Sequence, residues 1–169
     1  EMALRAYLNK ESDDIFPLLS KHFEQIAMAK VSASALEAKE MGYLKNEDVI
    51  IANPHELLYV AKQQALAMLE SGFRSPLDDT FKVVGKAGYA NIMAQVANLF
   101  EGNFMSEHDK YCISSLAKVM TGSLVEENTV VNSKMLLDLE QKYFVELLGT
   151  QKTQDRIEFM LRNSKPLRN

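Results

Sequence analysis

The chain is poor in the residues that mark several large classes of protein. One cysteine, Cys112, occurs in 169 residues, which excludes an internal disulfide and suits a reducing cytoplasm. Acidic residues outnumber basic ones, 23 to 19, so the net charge of −4 at pH 7 gives no support to a nucleic-acid partner. No apolar run approaches the roughly 20 residues that span a bilayer. With 47% hydrophobic and 25% charged residues, the chain is expected to be an ordinary cytoplasmic protein.

The residue patterns of zinc sites and dinucleotide sites are also missing. His22, His55 and His108 are scattered, none lies four residues from another, and no cysteine–histidine cluster occurs, so we expect no metal site. A dinucleotide-binding turn needs G-x-G-x-x-G directly after a strand, and "GKAG" at residues 85–88 has neither the spacing nor the strand. We therefore predict that no catalytic residue and no metal ligand lies in this chain.

A hydroxyl, two carboxylates and an imidazole occur together in "SEHD", residues 106–109. Adjacent residues on one helical turn point in different directions, so they cannot form a Ser-His-Asp relay among themselves. The pattern instead predicts a helix start, with Ser106 as the N-cap and Asp109 closing a capping box, while Glu107 complements the helix dipole.

Five other groups have both a functional and a structural interpretation. Glu37 and Glu40 lie three residues apart on one helix, as a pair of acid–base carboxylates could, but neighbouring lysines favour a charged, solvated face. Cys112 falls on an apolar stripe with no adjacent base, which favours a core thiol over a nucleophile. His22 and His55 are predicted to be surface histidines.

Apolar residues recur at three-to-four spacing almost throughout, and sustained alternation of period two is scarce. The sequence therefore predicts an all-α fold of about seven helices. Glycine stop signals follow five of the apolar stripes, at Gly42, Gly72, Gly102, Gly122 and Gly149.

The clearest helix start is "NPHE", residues 53–56, with Asn53 as the cap, Pro54 at the first helical position and Glu56 at the reciprocal position of a capping box. The helix that follows is predicted to pack through one face, made of Leu57, Ala61, Gln64, Ala65 and Met68.

The helical pattern lapses between Arg74 and Lys86, where Pro76, Asp78 and Asp79 predict a loop. The short run from Phe81 to Val84 is predicted to be extended. This lapse is the best candidate boundary between two lobes.

Two segments resemble the enoyl-CoA hydratase/isomerase (crotonase) family. The segment "SASALEAKEMGYLKNEDVIIANPHELLYVAKQQALAM", residues 32–68, has a short helix rich in small residues, the turn Gly42-Tyr43-Leu44, an acidic turn and a long helix from Pro54. The segment "TQDRIEFMLRNSKPLRN", residues 153–169, resembles the closing helix of that family. With "SEHD" and Leu136 to Glu140, the chain is most similar to bacterial 3-hydroxyacyl-CoA dehydrogenases that carry a crotonase-like domain at the carboxyl end.

This resemblance implies a C-terminal fragment of an enzyme of fatty-acid β-oxidation, which hydrates 2-enoyl-CoA and oxidises 3-hydroxyacyl-CoA with NAD. The catalytic glutamates, the oxyanion-hole amides and the NAD-binding glycines would all precede Glu1, so the fragment alone would be inactive and hold no cofactor. Residues 1–75 would be a crotonase-like helical tail, and residues 76–169 a C-terminal helical lobe packed on it.

The expected role of the fragment is to complete the acyl-CoA pocket and to contact the upstream domains or a second subunit of a homo-oligomer. Lys165, in the closing segment, is the one candidate for binding the CoA phosphates, and the competing interpretation is an ordinary solvated lysine. The alternative for the whole chain is a free-standing helical interaction module that binds partner helices through a groove.

Overall fold

The computed structural model describes residues 1–10, 13–74 and 80–169. Within these residues the chain forms eight α-helices, one 3₁₀ helix and two short strands, which confirms the predicted all-α class. Pro76, Asp78 and Asp79 of the predicted loop lie outside the described residues. In chain order the elements are α1 (Met2–Leu8), α2 (Phe16–Ala27), α3 (Ala35–Glu40), the 3₁₀ helix (Pro54–Glu56), α4 (Leu57–Glu70), β1 (Thr80–Lys82), α5 (Gly85–Glu101), α6 (Glu107–Thr121), β2 (Val130–Asn132), α7 (Ser133–Leu148) and α8 (Gln151–Asn163).

The chain divides into two compact units, one made of residues 1–30 with 80–169 and the other of residues 31–79. The predicted division placed residues 1–75 in one lobe and residues 76–169 in the other. The observed division differs from it, because the first 30 residues belong with the C-terminal ones. The reason is the apolar face of α2: Leu19 and Phe23 are buried in the same core as Phe81 and Ile92.

Helix α6 is the central element of the first unit, because α1, α2, α5 and α7 all pack against it. The core beside it contains Phe81, Ile92 and Ala117, each at most 2% exposed. Strands β1 and β2 pair antiparallel, with Phe81 opposite Val131, so the two ends of the segment from Thr80 to Asn132 lie side by side. The predicted extended run is therefore confirmed at Phe81 and Lys82.

Local signals set the ends of the helices much as the sequence predicts. The five predicted glycine stops all lie within three residues after the end of a helix, and Gly122 caps α6 in the left-handed region at φ 80°. A side chain at Gly122 would also meet Val83, with its Cβ 2.7 Å from a Val83 methyl group. Both the left-handed backbone and the lack of space therefore favour glycine there.

The second unit contains α3, the 3₁₀ helix and α4. Asn53 caps the 3₁₀ helix as predicted, since its side-chain oxygen accepts from the His55 amide at 3.1 Å. Helix α4 buries none of its residues, so the prediction of a packed face is wrong for this structure. The physical reason is that the element α4 contacts most, the three-residue 3₁₀ helix directly before it, is too short to cover a helix of 14 residues.

None of the helices in the described ranges has both the length and the apolar character needed to cross a membrane.

Candidate functional site: an apolar cavity beside α6 and α7

A cavity of about 490 Å³ lies in the first unit, between α1, α6 and α7. Its volume falls within the roughly 300–1,000 Å³ of typical small-molecule sites. Most of its wall is apolar, and its polar groups belong to Glu1, Cys112, Ser115, Ser133, Glu140 and Tyr143. The principal apolar residues are Leu4, Leu116, Met120, Leu136, Phe144 and Leu147.

Helical spacing explains how α7 supplies one wall of this cavity. Leu136, Glu140, Tyr143 and Leu147 follow one another at steps of three or four residues and therefore share one face of the helix. The start of α7 is held by Asn132, whose side-chain oxygen accepts from the Met135 amide at 2.9 Å. The opposite wall repeats this spacing on α6, at Cys112, Ser115, Leu116, Val119 and Met120.

The cavity has a buried floor and an exposed apolar edge. On the floor, Leu136 of α7 and Met120 of α6 are 6% and 5% exposed. At the edge, Leu137 and Phe144 of α7 are 61% and 59% exposed. Covering such exposed apolar surface is favourable by about 25 cal/mol per Å². The geometry therefore suits an elongated apolar group that reaches from the edge to the floor.

Cys112 lies on the α6 wall of the cavity and is half-buried. Burial raises the pKa of the Cys112 thiol, and although Arg156 opposes this, the Asp109 carboxylate acts in the same direction as burial. The thiol is therefore protonated at neutral pH, which agrees with a packing role and not with that of a nucleophile.

The "SEHD" residues form the predicted capping box. The Ser106 hydroxyl accepts from the Asp109 amide at 3.1 Å, and Asp109 Oδ2 accepts from the Ser106 amide at 3.0 Å. The other oxygen of this carboxylate, Oδ1, forms an ion pair with a residue of α8, since Arg156 Nη1 lies 2.8 Å from it. Ser106 and Asp109 are thus held in structural contacts.

Glu37 also acts as a cap. Its amide donates to the Ser34 hydroxyl at 3.1 Å, and its Oε2 accepts from the Ala33 amide at 2.5 Å. Glu40 is exposed, as predicted. The structure therefore places the two carboxylates of the possible acid–base pair in different environments, one capping α3 and one in solvent.

The three histidines occupy different environments. His55 is exposed, as predicted. His22 is 4% exposed, so the prediction of a surface position is wrong. It lies on the face of α2 that also buries Leu19 and Phe23, and its Nδ1 is 3.1 Å from Gln25 Oε1. Burial lowers the pKa of His22, although the Gln25 contact opposes this.

His108 is buried at the start of α6, and the sequence gives no signal for this. Its Nε2 lies 2.9 Å from the Thr153 hydroxyl, and Thr153 is 45 residues further along the chain. Arg156, which pairs with Asp109, is similarly distant in sequence. Sequence spacing reveals contacts within one helix, whereas these contacts join two helices.

Lys165 lies in the exposed segment after α8 and is not among the residues that line the cavity. Its predicted role at the CoA phosphates stays a prediction. Across the described ranges, no three His, Cys, Asp or Glu residues are grouped as a metal ion would need.

Comparison with known proteins gives a similarity along nearly the whole chain. A protein of Bacillus subtilis (strain 168) described as a probable 3-hydroxyacyl-CoA dehydrogenase is 41% identical over 165 residues. The alignment covers 96% of this chain and 21% of that protein, so the chain spans about a fifth of the length of this relative. No family model matches the chain, and no solved structure does. The predicted resemblance to such a dehydrogenase is therefore confirmed for a segment of about this length.

Proposed function

We propose that this chain is the helical C-terminal part of an NAD-dependent 3-hydroxyacyl-CoA dehydrogenase that also carries a crotonase-like, enoyl-CoA hydratase domain and acts in fatty-acid β-oxidation. The observation that carries the proposal is the 41% identity over 96% of the chain to the probable 3-hydroxyacyl-CoA dehydrogenase of Bacillus subtilis. The chain itself is the non-catalytic part: it completes the acyl-CoA pocket and contacts the other domains, which supply the catalytic groups and the NAD site.

The apolar cavity supports the role in the acyl pocket. An acyl chain offers no hydrogen-bonding group along its methylenes, so it is accommodated best by walls that demand none. The α6 and α7 walls meet this condition at Leu116, Met120, Leu136 and Leu147. An acyl chain that covered Phe144, 59% exposed, would also remove apolar surface from water.

The engagement of the polar groups supports the non-catalytic role. Ser106, Asp109 and Glu37 hold helix ends, and Asp109 also pairs with Arg156. A general base or nucleophile has to be free to reach its substrate. These three side chains are therefore used to hold helices in place.

The exposed face of α4 supports contact with other domains. Leu58 and Leu69 are 84% and 76% exposed, and Phe73, just beyond the helix, is 57% exposed. Apolar patches of this kind mark interaction surfaces in many proteins.

The proposal is tested in a chimera of the Bacillus subtilis relative in which the aligned stretch is replaced by this chain. We expect the chimera to retain NAD-dependent oxidation of 3-hydroxyacyl-CoA and hydration of crotonyl-CoA. The 169-residue chain alone should show no turnover with crotonyl-CoA, or with acetoacetyl-CoA and NADH. An inactive but folded chimera would reject the assignment to this enzyme, and turnover by the isolated chain would reject its non-catalytic role.

The acyl-pocket role is tested by two matched substitutions in the same chimera. Leu137 lines the cavity, whereas Val145, equally exposed on α7, does not. Leu137→Glu should raise KM for long-chain substrates by roughly tenfold or more, because a charge would be desolvated by the chain. Short-chain substrates and Val145→Glu should be unaffected. If Leu137→Glu leaves long-chain kinetics unchanged, the cavity is not the acyl site, and the alternative of a groove for a partner helix gains support.

A further inference from the structure

Helix α8 meets the start of α6 through polar groups, and this junction is independent of the proposed function. None of the residues of α8 is buried. Its half-buried Arg156 lies 2.8 Å from Asp109 and donates to the Ser106 hydroxyl at 3.4 Å. The same guanidinium donates to Asn169, so it ties the end of the described chain to this junction as well.

His108 occupies the centre of this junction. It is 6% exposed, and its Nε2 lies 2.9 Å from the hydroxyl of Thr153. His108 is in the first turn of α6, and Thr153 is in the first turn of α8. The amino-terminal ends of two helices therefore meet at the imidazole, and the dipole of each helix disfavours a positive charge there.

The charged side chains around His108 also disfavour its protonated form. Arg156 and Lys152, both on α8, lower the pKa of His108, whereas the Asp109 carboxylate on α6 opposes them and raises it. Asp109 is the one carboxylate of the three, and it already pairs with Arg156. A protonated His108 would be a third cation beside Arg156 and Lys152, in a place largely shielded from water.

We propose that His108 is a proton-sensitive latch, which holds α8 against the start of α6 while the imidazole is neutral and releases α8 when the imidazole is protonated. The hydrogen bond to Thr153 can survive protonation, because Nε2 donates in the charged ring. The release is therefore caused by charge repulsion and by the cost of a buried cation.

The order of titration follows from the same contacts. Burial, together with Arg156 and Lys152, lowers the pKa of His108 below the ordinary value of 6.5. The pKa of His108 is therefore lower in the folded chain than in the unfolded chain. The neutral imidazole stabilises the folded state fully at pH values above the unfolded pKa, and this stabilisation is lost as the pH falls toward the folded pKa. Although burial opposes it, hydrogen bonds from Ser106 and Arg156 lower the pKa of Asp109, so the Asp109–Arg156 pair remains charged while His108 is protonated.

The test is hydrogen exchange of the full chain between about pH 8 and about pH 5, corrected for intrinsic exchange rates. The wild-type chain should lose protection in residues 151–163 as the pH falls, because the lowered pKa of His108 couples its protonation to the release of α8. His108→Gln keeps a polar group near Thr153 without a titrating charge, and should remove this pH dependence. His55→Gln, at the exposed histidine, should behave like the wild type.

Two results would overturn the latch: constant protection of α8 in the wild type, or an equal loss of protection in His108→Gln. If the amides of α8 are unprotected at every pH in the His108→Gln variant, an NMR titration of the wild-type chain tests the latch instead. The His108 ring and the α8 amides should then share one midpoint, below the roughly 6.5 of an unperturbed histidine. A higher midpoint, or α8 amides that do not follow it, would contradict the proposal.

Discussion

Gly85 shows at the scale of one residue how closely the first unit is packed. It begins α5 at φ 54°, in the left-handed region, and its added Cβ would collide with the Val125 carbonyl and lie 2.8 Å from the Glu126 carbonyl carbon. This close approach of the two backbone segments allows a hydrogen bond, in which the amide of Lys86 donates to the same Val125 carbonyl at 2.8 Å. Both backbone conformation and space therefore require glycine here.

Gly85→Ala should lower the free energy of unfolding by more than about 3 kcal/mol, since the backbone atoms it meets cannot move aside as a side chain could. Gly72→Ala is the matched control: its φ is 72°, but no described atom lies within 4 Å of the added Cβ. It should cost only about 1 kcal/mol, from backbone strain alone. Urea denaturation of both variants measures the difference, and equal costs would contradict the steric argument.

Helix α6 illustrates at the scale of an element how one helix can serve several roles. Its start carries the Ser106–Asp109 capping box and the His108 junction, and its end is closed by Gly122. Between these ends it packs against four other helices and supplies one wall of the cavity. Shortening or fraying α6 would therefore disturb the core and the cavity together.

Ser106→Ala should destabilise the first unit by about 1 kcal/mol, within a range of roughly 0.5–2, because the Asp109 amide loses its acceptor. The Arg156 contact to the Ser106 hydroxyl is lost as well. Ser71→Ala serves as the control, since Ser71 is exposed at the end of α4 and donates to the Met68 carbonyl. Thermal unfolding of the two variants should separate them, and an equal, negligible effect would show that the capping box adds nothing to stability.

The distribution of apolar surface matters at the scale of the whole molecule. Helix α4 leaves Leu58, Leu69 and several other apolar residues exposed, and α7 leaves Leu137, Phe144 and Val145 exposed. Such a chain, studied alone, is expected to self-associate, because association removes this surface from water.

Replacing both Leu58 and Leu69 by lysine should therefore reduce association across a dilution series followed by light scattering. Gln63→Lys is the control, because it adds a positive charge to the same exposed helix without removing an apolar side chain. It should leave association largely unchanged. A wild-type chain that is monomeric at every concentration and binds no hydrophobic dye would refute this prediction.

Features within one helix or turn could be predicted from the sequence. The all-α class, the capping box at Ser106 and Asp109, the cap at Asn53 and the helix stop at Gly122 all follow from residues no more than four apart. Over such distances, backbone geometry alone determines which groups meet. The sequence similarly indicated that Cys112 was a packed thiol, because its apolar stripe is a property of one helix.

The tertiary structure alone decided which helices meet and what they enclose. It buried His22, joined His108 to Thr153 and Asp109 to Arg156, placed residues 1–30 beside residues 80–169, and formed the cavity from α1, α6 and α7. Helical periodicity shows that a face is apolar, but it does not show which surface will cover that face. That choice depends on the packing of side chains distant in sequence, and so it is made only when the whole chain folds.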